Sequence, residues 1–197
     1  MKILIFTDLH AQFQYIEELK EKAKDVDLII SPGDHTLFGE GTKEFFDFLE
    51  AQNKPCLILH GNHESSKETK EQCEKHKNIE FIHKKYMHYN NILFIGHGGG
   101  GFTSRYPSFE KLSKEFSDAM KTAKKTILIT HAPPINTKLD LVPGVGHVGS
   151  ESYREFIEIN QPNICVCGHI HEGFEKEDKI GKTRIINPGP KGKIIEI

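Results

Sequence analysis

An α/β architecture is predicted by three features of the 197-residue sequence. Between residues 2 and 59 short apolar runs alternate with stretches of helical periodicity, as strands of a parallel sheet alternate with their covering helices. Each of these runs stops at a polar or glycine-containing cluster, a strand end that can enter a site. Past residue 173 the pattern changes to short strand-like segments separated by glycine and proline, which suggests a second, mixed sheet packed on the first.

Residues 2–7 read as a buried strand, and residues 13–24 place Phe13, Ile16, Leu19 and Ala23 at helical spacing. A strand at 26–30 follows, leading into Ser31-Pro32-Gly33-Asp34. A helix at 42–53 carries Phe45, Phe46, Phe48 and Leu49, and a strand at 56–59 comes next. A helix at 66–75 precedes β segments near 79–83 and 91–95, and then the run Gly98-Gly99-Gly100-Gly101. A helix at 108–122 leads to a strand at 126–130, and a helix at 150–160, opening at Ser150 with Tyr153 at its third position, leads to a strand at 163–167. Residues 174–197 read as β hairpins punctuated by Asn187-Pro188-Gly189-Pro190.

The length suits one domain, residues 1–197, with a well-covered core. The opening apolar stretch is too short for a signal-peptide core and no later run is long enough for a bilayer, so a soluble cytoplasmic protein is expected. Lys and Arg (26) nearly balance Asp and Glu (28), and the only arginines are Arg105, Arg154 and Arg184. That is a poor footprint for nucleic-acid binding. The lysines from Lys67 to Lys85 are interleaved with glutamates and read as a solvated helix face. Cys56, Cys73, Cys165 and Cys167 show no disulfide or zinc spacing and are expected as small buried thiols.

Five clusters of oxygen and imidazole ligands recur in order: Asp8-Leu9-His10, Gly33-Asp34-His35, Gly61-Asn62-His63-Glu64, Thr130-His131-Ala132 and Gly168-His169-Ile170-His171. This series resembles the signature of the calcineurin-like metallophosphoesterase superfamily, over a span from Asp8 to His171. The Gly33-Asp34-His35-Thr36 loop and the late Asn187-Pro188-Gly189 look most similar to a compact branch of cyclic-nucleotide-phosphodiesterase-like, metallophosphoesterase-domain members, archaeal ones included. The resemblance implies a four-layer α/β/β/α sandwich with two mixed sheets. It implies two divalent ions, one held by Asp8, His10 and His171, the other by Asn62, His131 and His169, with Asp34 bridging. Two such ions about 3.5–4 Å apart share an oxygen nucleophile, here a bridging hydroxide, and grip phosphoryl oxygens. A nitrogen and oxygen donor set without thiolate suits Mn, Fe, Zn, Co or Ni, with Mn favoured.

In that family the position of His63 is an acid for the leaving oxygen, and Glu64 would orient a histidine. His35 could touch substrate or be bonded to backbone. His147, in the long connection after His131, could face substrate, while His60, His76, His83, His88 and His97 read as solvated or structurally satisfied. Where phosphoprotein phosphatases carry an arginine after the Gly-Asp pair, this chain has Thr36, Leu37 and Phe38. Arg105 is the only arginine whose loop setting could replace it. A phosphodiesterase for small substrates, such as a cyclic nucleotide, nucleotide diester or aryl diester, is therefore expected. The alternatives are a phosphomonoesterase or nucleotidase, and a catalytically silent scaffold of the same fold.

Overall fold

Strand alternation decides the layers. In the computed structural model, which describes residues 1–197, the elements are β1 (Lys2–Ile5), α1 (Ile16–Ala23), β2 (Leu28–Ser31), α2 (Thr42–Ala51), β3 (Cys56–Ile58), α3 (Ser66–Cys73), β4 (Ile79–Phe81), β5 (Lys85–Tyr89), β6 (Ile92–His97), α4 (Pro107–Met120) and β7 (Lys125–Thr130). They continue with β8 (Leu141–Val142), β9 (Gly146–His147), α5 (Glu151–Asn160), β10 (Ile164–Val166), β11 (Glu177–Ile180), β12 (Thr183–Ile186) and β13 (Lys193–Glu196). One sheet has the order β13-β1-β2-β3-β4, the other β11-β12-β10-β7-β6-β5, and β8 and β9 form a small separate hairpin.

Successive side chains of a strand face opposite sides. Ile3, Ile5, Leu28, Ile30 and Leu57 of the first sheet meet Phe94, Ile127, Ile129, Ile164 and Val166 of the second in one buried cluster between the sheets. Their neighbours Leu4, Ile29, Cys56 and Ile58 turn the other way, onto Leu19 of α1 and Phe45 and Leu49 of α2. Leu93, Ile95, Leu128 and Cys165 likewise turn outward onto Phe109 and Phe116 of α4 and Tyr153 and Phe156 of α5. Helices, sheet, sheet and helices thus form the α/β/β/α sandwich with two mixed sheets. Strands β1 to β4 run parallel, as do β6, β7, β10 and β12, while β13, β5 and β11 are antiparallel edges. No helix is long and apolar enough to cross a membrane.

Four details differ from the sequence reading. The α-helix predicted from residue 13 starts at Ile16, after a 3-10 turn at Phe13–Tyr15. The tail does not belong wholly to the second sheet: β13 returns to the first and pairs antiparallel with β1, Lys2 opposite Glu196. Residues 85–89, between the β segments expected near 79–83 and 91–95, form the exposed edge strand β5. Only Lys67 and Lys70 of the lysine series lie on α3, Lys75, Lys77 and Lys84 falling on turns and Lys85 on β5. All four cysteines are free and buried, as expected.

Candidate metal centre

The five clusters follow the carboxyl ends of β1, β2, β3, β7 and β10, all parallel strands, three in one sheet and two in the other. Loops leaving those ends must turn sharply. Asp8 (φ 55°), His10 (φ 45°), Asp34 (φ 51°) and His169 (φ 69°) all adopt left-handed backbone, which Asp and His tolerate better than most residues but at a cost. Glycines make the close approach possible. A Cβ on Gly61 would stand 2.0 Å from Asp34 Oδ1, and one on Gly168 would stand 2.3 Å from Thr7 Oγ1 and 2.4 Å from Asp8 Oδ2.

The nitrogen and oxygen atoms converge. His10 Nε2 and His171 Nε2 are 3.1 Å apart, with Asp8 Oδ1 3.9 Å from His10 Nε2. His131 Nε2 lies 3.0 Å from Asn62 Oδ1 and 3.4 Å from Asp34 Oδ2. The same Asp34 oxygen is 3.7 Å from His10 Nε2 and 4.0 Å from His63 Nε2. The backbone N–H of His63 donates to Asp34 Oδ1 at 2.9 Å, which leaves Oδ2 turned between the two sets. Three groups have ligand atoms within 4.8 Å of one another: Asp8, His10 and His171; Asp34, His131 and His169; and His10, Asp34 and His63.

These residues fit cations. His131 Nδ1 lies 3.1 Å from the Pro32 carbonyl, so an Nδ1–H donates there and the Nε2 lone pair points at Asp34 and Asn62, which present oxygen lone pairs in return. His169 Nε2 is buried with no hydrogen-bond partner. Two nitrogens 3.1 Å apart are spaced as adjacent ligands of one ion with bonds of roughly 2.1 Å. Burial holds the imidazoles of His10 and His171 below their ordinary range and that of His169 down to about 4, so they stay in the neutral, ligating form. Burial raises Asp8 to about 7, a carboxylate that asks for positive charge beside it. Burial would also lower His131 and raise Asp34, but their hydrogen bond and mutual charge outweigh it, taking His131 up to about 9 and Asp34 down; a proton on Nε2 then takes the place between them that a cation bound to its lone pair would fill.

Glu64 makes no hydrogen bond to a histidine ring, His35 Nδ1 lying 3.9 Å from its Oε2. Its Oε2 accepts from the backbone N–H groups of Asp34 (2.9 Å) and Gly61 (2.8 Å), and its Oε1 accepts from the N–H (2.8 Å) and hydroxyl (2.9 Å) of Thr36. It therefore ties the β2 loop to the β3 loop. His63 is held by rings instead: Phe38 stacks on it at 4.3 Å and His10 meets it edge-on at 4.5 Å, while its Nδ1 is buried and unpartnered. His35 is 1% exposed, stacked on Phe45 at 4.1 Å, and makes no backbone hydrogen bond through its ring. His147 directs Nδ1 to buried Asp140 at 2.8 Å and does not line the cavity over the ligand cluster. Arg105 is committed elsewhere, paired with Glu110, Glu151 and Glu155. Phe38 and Phe102 beside the centre went unread in the sequence; the available signal was an aromatic in a glycine-rich loop, Phe38-Gly39 and Gly101-Phe102.

Comparison with known proteins agrees with this geometry. The family description for calcineurin-like phosphoesterase matches residues 1–173. An uncharacterised protein of Methanocaldococcus jannaschii is 35% identical over 99% of this chain and 91% of its own length. In fold, the chain is similar to phosphopantetheinyl hydrolase of Mycobacterium tuberculosis, with a TM-score of 0.65 and 12% identity over 95% of this chain and 88% of that one. It is also similar to a dimetal phosphatase of Danio rerio, with a TM-score of 0.61 and 9% identity over 94% and 86%. With the family description matched over residues 1–173 and a sequence relative matched over 99% of this chain, the chain belongs to the calcineurin-like phosphoesterases.

Proposed function

We propose that this protein is a phosphodiesterase for small esters, working with two divalent ions drawn from Mn, Fe, Zn, Co and Ni. Asp8, His10 and His171 take one ion, Asn62, His131 and His169 the other, and Asp34 both. Three oxygen donors beside four imidazoles favour Mn. When bound, such a pair neutralises phosphoryl charge and makes water nucleophilic at neutral pH. His63 stands outside both ligand sets, with Nε2 4.0 Å from Asp34 Oδ2. It holds the proton for the departing alkoxide, and the stacked Phe38 ring restrains its rotation. The four buried free thiols support a reducing, cytoplasmic setting.

Diester preference rests on one observation: the cavity over the ligand cluster is lined by no lysine and no arginine. A monoester dianion carries an extra negative charge, for which enzymes commonly position an arginine or lysine, and Arg105 is already paired with three glutamates. With Mn supplied, kcat/KM for bis-p-nitrophenyl phosphate should exceed that for p-nitrophenyl phosphate. A clear preference for the monoester would overturn this reading.

A further inference from the structure

Large apolar side chains exposed to water are few here: Leu37, Phe38, Tyr86, Phe102, Leu141, Val145, Ile159 and Ile194. Five of them, Leu37, Phe38, Phe102, Leu141 and Val145, lie on just three segments, the β2–α2 loop, the glycine-rich loop after β6 and the β8–β9 hairpin. Scattered exposed hydrophobics mean little, but a patch gathered at a cavity mouth marks a binding surface. Leu37, Phe102, Val142, Val145, Val148 and Ile170 line one 790 Å³ cavity, together with His10, Asp34, Asn62, His63, His169 and His171.

The side chains are held in place rather than left loose. Phe102 packs on the ring of His169 with centroids 4.8 Å apart. Leu37 and Glu40 exchange both backbone hydrogen bonds (3.2 and 3.1 Å) around Phe38 and Gly39, whose φ values are both positive. That turn favours Asn or Gly at its first corner, yet it carries Phe38, 77% exposed and stacked on His63. A second cavity of 640 Å³ shares Asn62 and His63; Phe38 and Phe46 are its only hydrophobic side chains, beside Thr36, Thr42, Ser65, Glu68 and Gln72. Six hydrophobic side chains thus line the cavity on one side of His63 and two the cavity on the other.

We infer that the apolar cavity is a subsite for a hydrocarbon or aryl substituent of the ester. The substrate class is then a singly charged phosphodiester bearing such a group, a refinement that rests on the phosphodiesterase reading above. Asp8 and Asp34 cancel only part of the charge of two divalent ions, enough attraction remaining for a phosphoryl group. Beyond the ligands and His63, the only charged side chain in the cavity wall is Glu172, which repels a further anionic group. Burying hydrocarbon against Phe102, Val145 and Leu37 supplies the recognition that cations supply elsewhere.

The test is a series of alkyl p-nitrophenyl phosphates, methyl to hexyl, with Mn and a constant leaving group. Each added methylene should raise kcat/KM by about two- to fourfold until the cavity is filled. F102S and V145S, both at positions 73% exposed and so safe for folding, should flatten the series, whereas I159S on the exposed face of α5 should keep its slope. A flat series in the unaltered protein, with diesters still hydrolysed, overturns the inference and leaves the phosphodiesterase reading standing. If no diester is hydrolysed, that reading fails, and the subsite is judged by calorimetric titration of the Mn-loaded protein with methyl-, butyl- and hexylphosphonate. Tightening of about tenfold or more from methyl to hexyl supports it, and equal affinities overturn it. A flat series accompanied by a dimer that F102S dissociates assigns the rim to a second copy of the chain, and also overturns it.

Discussion

Asp34 Oδ2 is the atom on which both proposed ligand sets turn, facing His131 Nε2 at 3.4 Å and His10 Nε2 at 3.7 Å. Asp34→Asn should therefore lose metal from both sites, where any other ligand change weakens mainly one. Metal analysis finding two equivalents still bound, with near-normal turnover, would sink the bridging role. His63→Ala should keep the metal and lower the rate by about 10² to 10⁴, the range of one general acid. The loss should shrink for p-nitrophenolate and grow for alkoxide leaving groups, and an equal loss on both would count against proton donation. Gly168→Ala should weaken metal uptake by roughly ten- to a hundredfold, a scale typical of groups that support ligands, because its Cβ would displace Asp8 and Thr7. Retained affinity in that variant would show that the loop yields. That these side chains would converge was legible in the sequence because few jobs need Asp-x-His and His-x-His after strands. The partners of Glu64 were not, since its carboxylate accepts from backbone N–H groups, which every residue but proline offers.

Among elements, the buried parallel strands announced themselves as continuous apolar runs, Leu4 and Ile5, Ile29 and Ile30, Ile127 to Ile129. The edges did not: β5 reads Lys85-Tyr86-Met87-His88-Tyr89, and β13 finds its partner β1 at the opposite end of the chain, a pairing no local pattern encodes. The β8–β9 hairpin is shorter still and is fastened by one side chain. Buried Asp140 accepts from the N–H groups of Thr137 (2.7 Å), Gly149 (3.0 Å) and Asn136 (3.2 Å), and pairs with His147. Asp140→Ala leaves these buried donors unmatched and should cost about 3 kcal/mol by urea unfolding. His147→Ala, on the exposed side of the pair, should cost less than about 1 kcal/mol. Equal losses would mean that the hairpin is fastened by something other than Asp140.

Across the whole molecule, burial of neutral imidazoles sets acid tolerance. Burial, with neighbouring histidine and lysine charge, takes His83 down to about 2 and His97 down to about 3, against about 6.5 in an unfolded chain. Below that value the unfolded state takes up protons that the native state refuses, so stability falls as pH drops from about 6.5 toward 3. The two together cost up to about 2.7 kcal/mol per pH unit. Chemical denaturation at pH 7, 6 and 5 should show the decline, and its absence in the unaltered protein would contradict it. His97→Gln should reduce the slope. The strand-end arrangement has one more consequence. Asp8, His10, Asp34 and Asn62 leave the first sheet, whereas His131, His169 and His171 leave the second; apolar packing joins the sheet faces, and a few loop hydrogen bonds, such as the His169 N–H to Asp8 and His131 Nδ1 to the Pro32 carbonyl, join their ends. Ions bound to these residues would act as clamps, adding to the packing and loop hydrogen bonds that already couple the two slabs. Each site held at a hundred times its dissociation constant should add about 2.7 kcal/mol to unfolding. Chelation should therefore speed amide exchange in β7 and β10 alongside β1 and β2, so that a reagent touching only the rim is felt through the whole interleaf.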